Sequence, residues 1–166
     1  SRKCRPEILE AFKACRAQHS DAILYLHTEP HGKHDGVNLP LLMQSLGLAD
    51  GSVCFVDEYR NNFEPYAPEL MAKVFSAMDV LLAPSMGEGF GIPVLEAGAC
   101  GTPAIISDFA ASPEILGSGW KVEGKKVWTK QNSWQFQPSV EDILEALRRA
   151  YASPGAAYEQ MSAAAV

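Results

Sequence analysis

Two carboxylates, Glu88 and Glu96, stand with seven residues between them in the stretch Pro84-Ser85-Met86-Gly87-Glu88-Gly89-Phe90-Gly91-Ile92-Pro93-Val94-Leu95-Glu96. An apolar run, Val80 to Ala83, comes directly before, and an alanine- and leucine-bearing segment follows. The order therefore reads strand, glycine loop, helix. Glycines let the loop backbone approach a ligand closely. Pro93 suits the first turn of a helix, where its missing amide costs nothing. Such a helix start offers free N–H groups and a partial positive charge, a natural seat for phosphate. Glu96 falls in the first turns of this helix, near the same sheet end as Glu88. A carboxylate on each side of a phosphate-friendly turn suits a ligand with hydroxyls on both sides of a diphosphate. A nucleotide sugar has that layout.

The same string resembles the donor-site signature of retaining glycosyltransferases of the two-domain GT-B type, family 4 (group 1) in particular. The resemblance rests on the Glu-x7-Glu pattern, with Gly89-Phe90-Gly91 inside it and Pro84-Ser85 before it. It continues through Ala99-Cys100-Gly101-Thr102-Pro103-Ala104-Ile105-Ile106 and Ser112-Pro113-Glu114-Ile115-Leu116. It covers about Lys3 to Trp120 and is strong between Asp79 and Leu116. It implies that Glu96 accepts hydrogen bonds from both ribose hydroxyls, a bidentate role open to a carboxylate. Glu88 is then the catalytic-site carboxylate that contacts the donor sugar. The backbone at Gly89, Phe90 and Gly91 lies nearby, and the helix start through Ile92 takes part of the diphosphate charge. Lys3 matches the family lysine that neutralises the diphosphate, although Cys4 follows it where the family has glycine. The family's accompanying arginine would precede Ser1, and Arg2 is no obvious substitute. The resemblance implies base recognition by backbone groups after Val53 to Val56, with Val56 to Tyr59 as the candidates. The protein's main catalytic task would be to stabilise charge growing on the leaving diphosphate. The resemblance implies no cofactor and no bound metal; the chain has no Asp-x-Asp motif.

The chain of 166 residues suits one domain, spanning 1–166. With 47% hydrophobic and 20% charged residues it has ordinary globular composition. A net charge of -6 supplies no basic field for nucleic acid, so none is expected as a partner. Cys4, Cys15, Cys54 and Cys100 lack metal-ligand spacing and read as reduced thiols; the last three sit among apolar or small residues. His31 and His34 lie beside Asp35 in a glycine-bearing loop, without a third ligand spaced for zinc. No secretory leader and no membrane-length apolar run is visible. The expected location is cytoplasmic, with peripheral contact at the inner membrane face left to a part outside this chain.

These residues need elements to position them. Helix is expected over Pro6 to Gln18, Leu39 to Leu46, Pro68 to Ala77, Ser139 to about Ala152 and Gly155 to Val166. Strands are expected over Ala22 to His27, Val53 to Val56, Val80 to Ala83 and Ala104 to Ile106. Asp57 to Ala67 reads as an acidic, aromatic loop. Trp120 to Val122 and Lys125 to Trp128, flanking Glu123-Gly124, suggest a hairpin. The tryptophans at 120, 128 and 134 read as packing at a domain edge rather than a stacking surface.

Short apolar strands alternating with helices imply an α/β fold, a Rossmann-like parallel sheet with helices on both faces. Ligands of such sheets bind beyond the C-terminal strand ends. The expected function is a retaining glycosyltransferase domain that binds a nucleoside-diphosphate sugar for transfer to an unknown glycan, lipid or small-molecule acceptor. A GT-B enzyme has two such domains. This chain is expected to be the C-terminal half, partnered by an N-terminal domain and lacking the strand before Lys3. The alternatives are a nucleotide-sugar epimerase-like GT-B enzyme and a non-catalytic nucleotide-sugar-binding fragment. A phosphorylase would need a lysine placed for pyridoxal phosphate, and no such setting is seen.

Overall fold

The computed structural model describes residues 2–32, 36–48, 51–64, 66–153 and 155–165. Helix α1 (Arg5–Arg16) buries Ile8, Leu9, Phe12 and Cys15, the three- and four-residue spacing of one helical face. Strand β1 (Leu24–Leu26) follows, then α2 (Leu39–Leu46). The Asn38 side chain caps α2 by accepting from the Leu41 N–H at 3.0 Å. Gly47 closes it with φ 75°, and the Leu48 N–H returns to the Met43 carbonyl at 2.9 Å. Strand β2 (Val53–Phe55) then pairs with β1 in parallel.

The stretch after β2 differs from the expected loop. Glu58–Phe63 forms a short helix, α3, because the Asp57 carboxylate accepts the Arg60 N–H at 2.9 Å and nucleates the turn. Next come α4 (Pro68–Ser76), β3 (Leu81–Ala83), α5 (Ile92–Ala99), β4 (Ala104–Ser107), the single-turn α6 (Ser112–Ile115) and β5 (Gly119–Val122). Strands β3, β4 and β5 form a parallel sheet in that order.

The hairpin lies one strand later than its expected place. Gly119–Val122 joins the parallel sheet, since Val122 is fully buried in the core. Strand β6 (Gly124–Trp128) instead pairs antiparallel with β7 (Trp134–Pro138) around a turn at Thr129–Ser133. Gly124 is needed there, because a Cβ would run into the Gln137 carbonyl across the pair. Helix α7 (Val140–Ala152) starts at Ser139, whose hydroxyl accepts the Asp142 N–H, and α8 (Gly155–Ala165) ends the described chain.

Both faces of the sheet are covered, as expected. Alternate residues of β4 point to opposite sides. Ile105 joins Ala11 of α1 and Ile143 and Ala146 of α7 on one side. On the other, Ala104 and Ile106 join Val94 of α5, with Ile115 and Leu116 against them. A third apolar cluster ties Ile8, Leu9 and Phe12 of α1 to Leu24, Leu26, Leu39 and Val53.

One feature was not in the expected plan. Among the described strands the parallel sheet is in two pieces, β1–β2 and β3–β4–β5. Each of β1 and β3 has a paired neighbour on one side only. Both line one large cavity of about 1200 Å³, together with Phe12, Phe75 and Met78. Two parallel edges beside one apolar cavity leave backbone polar groups that a further strand would satisfy.

Candidate functional site

The site is built where the parallel strands end. The loop after β3 is held from three sides. Ser107 Oγ, at the end of β4, donates to the Ser85 carbonyl at 2.7 Å and accepts the Ser85 N–H at 2.9 Å. The Met86 N–H donates to the Arg2 carbonyl at 2.8 Å, and the Met86 carbonyl accepts the Phe136 N–H at 2.8 Å. The loop is thus pinned to β4, to the segment before α1 and to β7. Ser85 Oγ is buried and, among the described residues, has no hydrogen-bond partner.

That clamp brings Glu88 to the segment before α1. Lys3 Nζ donates to Glu88 Oε1, and Arg2 Nη2 lies 3.7 Å from Glu88 Oε2. The Glu88 side chain is 11% exposed, that of Lys3 44%. Lys3 and Glu88 are 85 residues apart in sequence. Lys3 and Glu88 are both expected site residues; Arg2, no obvious substitute for the family arginine by sequence, lies on the same carboxylate. Its adjacency to Lys3 was the signal for it.

Helix α5 begins at Gly91, whose φ of 76° suits glycine; a Cβ there would also run into the Ile115 side chain. Among the described residues, no side chain caps this helix start. Glu96, on the second turn, is exposed, and its carboxylate has no partner among the described residues. Glu96, Pro93, Pro84 and Lys3 line the same end of the 1200 Å³ cavity, with His27 and Thr28 just past β1. Burial holds the His27 imidazole below its ordinary value, in the neutral form. Its Nδ1 lies 3.0 Å from the Tyr25 hydroxyl and its ring meets Tyr66 edge-on at 5.2 Å.

A second cavity of about 380 Å³ opens beside Glu88. Its walls are Met86 to Gly89 from the loop after β3, Phe109 and Ala110 from the loop after β4, and Arg2. The fourth wall is the β6–β7 hairpin, through Gln131, Ser133, Trp134 and Gln135. Ala110 holds a left-handed φ of 56°, a strained setting for a residue with a Cβ and one that clusters at functional sites.

The remaining expected residues sit as follows. Gly89 lines the smaller cavity. Phe90 and Ile92 are exposed and line neither cavity. Val56 is buried, its N–H donates to the Leu26 carbonyl at 3.1 Å, and it lines neither cavity. Cys4 is the N-cap of α1 with φ 49°, the left-handed region that the family's glycine would occupy freely. His31 Nε2 lies 3.7 Å from Glu58, while His34 and Asp35 fall outside the described residues. The tryptophans divide: Trp120 packs against the core, whereas Trp128 and Trp134 are 58% and 59% exposed. The four cysteines are free thiols; Cys54, expected among apolar surroundings, is exposed.

Comparison with known proteins identifies the family and the fold. Residues 6–153 match the family model described as glycosyl transferases group 1. A D-inositol 3-phosphate glycosyltransferase of Gordonia bronchialis is 33% identical over 113 residues, covering 68% of this chain and 21% of that protein. The corresponding enzyme of Rhodococcus erythropolis is 50% identical over 44 residues, 26% of this chain and 10% of that protein. The chain thus spans between about a tenth and about a fifth of the length of these relatives in the matched regions. Among solved structures, the C-terminal domain of a group 1 glycosyl transferase family protein from Francisella tularensis superposes with a TM-score of 0.72. It is 22% identical, with 99% of this chain and 76% of that one covered. Anabaena Alr3699/HepE in complex with UDP and glucose gives a TM-score of 0.67 at 17% identity, covering 99% and 39%. These structures share the α/β fold. With the family model matched across most of its length, this chain belongs to the group 1 glycosyltransferase family.

Proposed function

We propose that the chain is the donor-binding domain of a retaining glycosyltransferase, which holds a nucleoside-diphosphate sugar without a metal ion. The observation that carries the reading is the convergence of Lys3, Glu88 and Glu96 at the C-terminal ends of the parallel strands, where open α/β sheets bind ligands. The diphosphate sits between Lys3 and the uncapped start of α5, where charge and helix dipole both favour an anion. The free carboxylate of Glu96 takes the ribose diol. Backbone near Val56 takes the base. Glu88 faces the sugar, in the cavity it lines with Gly89.

In this reading the protein lowers the barrier chiefly by stabilising negative charge on the departing diphosphate. That charge builds in the transition state, next to Lys3 and the α5 amides. The departing phosphate then helps to take the proton of the incoming hydroxyl, delivered on the face the diphosphate leaves. Water must be excluded and the acceptor held close to the reacting carbon. An open sheet edge offers a donor shelf without the opposing wall. The wall is the N-terminal domain of the same enzyme, and the open edges of β1 and β3 take a parallel strand from the segment leading into Lys3. The acceptor class belongs to that second domain.

A thermal-shift screen against UDP, GDP, ADP and their sugars, with and without chelator, tests the reading. At 100 times the dissociation constant a ligand stabilises by about 2.7 kcal/mol, a clear melting shift. One nucleotide series should shift the melt, equally with chelator present. No shift from any of them, or a shift abolished by chelator, refutes it.

A further inference from the structure

The β6–β7 hairpin is the part of the molecule that the donor-site reading leaves without a task. It stands outside the parallel sheet as a sheet of its own. It is nonetheless held firmly against the site. Its Phe136 is buried, stacks on Phe109 with ring centres 5.5 Å apart and planes 11° apart, and bonds through its N–H to Met86. Lys126 Nζ lies 5.8 Å from the centre of the same Phe109 ring. On the anchored base rides an exposed tip. Trp128 and Trp134 are cross-strand partners, edge to face at 5.3 Å, and both rings face solvent over much of their area. Large exposed aromatics on a rigid ribbon, two on one short hairpin, mark a contact surface.

The chemistry around Trp134 narrows the class of ligand. It lines the 380 Å³ cavity with Gln131 and Gln135, whose carboxamides are joined by a hydrogen bond, and opposite them stand Glu88 and Arg2. The lining therefore joins aromatic rings, those of Trp134 and Phe109, to a set of planar polar groups. Carboxamide, carboxylate and guanidinium each present paired donors or acceptors in a plane. A pyranose ring is complementary to this set, with an apolar C–H face and a perimeter of adjacent hydroxyls.

We infer that the β6–β7 hairpin is a sugar-binding wall, in which Trp134, flanked by Gln131 and Gln135, holds a hexopyranose ring against Glu88. The inference rests on the donor-site reading for the position of Glu88, and deepens it by adding a specificity element outside the Glu-x7-Glu segment. The ring belongs either to the sugar of the donor or to the acceptor. Trp134 is the positioning side chain in both cases.

Two titrations on the purified chain separate the sources, each with wild type, Trp134→Ala and Trp134→Phe. Calorimetry with UDP, GDP and ADP against UDP-glucose, GDP-mannose and ADP-glucose reads the donor arm. Trp134→Ala should lose at least fivefold of the affinity that the sugar adds, leave the bare nucleotide unchanged, and be restored by Trp134→Phe. Saturation-transfer NMR with free glucose, mannose and galactose reads the acceptor arm. Ring-proton signals present with wild type should vanish with Trp134→Ala and return with Trp134→Phe. A loss in either arm supports the wall and names its source. Sugar signals that depend on Trp134 while no nucleotide binds would support the wall and overturn the donor-site reading. Nucleotide binding with both sugar arms indifferent to Trp134→Ala would overturn the wall alone. Binding of nothing in either arm overturns both.

Discussion

Glu88 holds Lys3 in an ion pair, and that makes a sharp expectation for Glu88→Gln. Lys3 is asked to meet the diphosphate, yet in this structure its ammonium is engaged by Glu88. A hydrogen bond to a charged group is worth about 1.5–3 kcal/mol, and an exposed ion pair about 0–1 kcal/mol. Here one partner is 11% exposed and the other 44%, so about 1 kcal/mol is a fair figure for what the diphosphate must displace. Glu88→Gln weakens that hold on Lys3. It also removes a negative charge from the neighbourhood of a negative ligand. Both changes act in the same direction on a bare nucleoside diphosphate. Since 1.4 kcal/mol is a factor of ten, its affinity should rise about fivefold, and salt should shrink the gain. The nucleotide sugar should show the opposite sign, because the variant loses the carboxylate proposed to hold sugar hydroxyls. Calorimetry with each ligand on both proteins decides it. A nucleoside diphosphate that binds Glu88→Gln no more tightly than wild type, with the thermal melt unchanged, would refute the competition between carboxylate and diphosphate for Lys3.

Glu96→Gln should weaken nucleotide binding by about 1.5–3 kcal/mol, and the 2′-deoxy nucleotide should lose affinity for wild type but little for the variant; equal losses remove Glu96 from the ribose. Burial pushes the Cys4 thiol up to about 12, so a thiol reagent at pH 8 should label exposed Cys54 and spare Cys4, as peptide mapping would show. The same raised value means that the folded chain keeps a proton the unfolded chain gives up above about pH 9. Stability should therefore fall as pH rises from 9 towards 12, and Cys4→Ser should flatten that slope. Cys4→Gly, which suits the φ of 49°, should shift stability by no more than about 1 kcal/mol, whereas β-branched Cys4→Val should destabilise by more than that in a denaturant titration. Extending the chain upstream of Ser1 by six apolar, β-branched residues should raise the melting temperature and protect the amides of β1 and β3 from hydrogen exchange; unchanged exchange would show that no strand enters between them.

Much of this protein is local and could be read as a string. The Pro93 helix start, the Gly47 cap, the apolar strands and the Ser139 cap each obey rules that operate within a few residues, and each appears where the sequence places it. The spacing of Glu88 and Glu96 is likewise a property of the loop and helix that carry them. Short-range chemistry misled in two places. Asp57 capped a helix inside a segment too polar to suggest one. Glu123-Gly124 looked like a hairpin turn, but burial of Val122 drew its strand into the parallel sheet and moved the hairpin to β6–β7. Pairings of distant segments carry no sequence period at all. Lys3 and Arg2 meet Glu88 because the Arg2 carbonyl, the Met86 amide and carbonyl, and the Phe136 amide form one chain of hydrogen bonds across three elements. Trp134 reaches the Glu88 cavity only because Phe136 is buried against Phe109. The Glu-x7-Glu segment was thus written in the sequence, where neighbours along the chain suffice to define it. The β6–β7 side of the cavity beside Glu88 was decided by the tertiary fold, since only packing and long-range hydrogen bonds join residues so far apart.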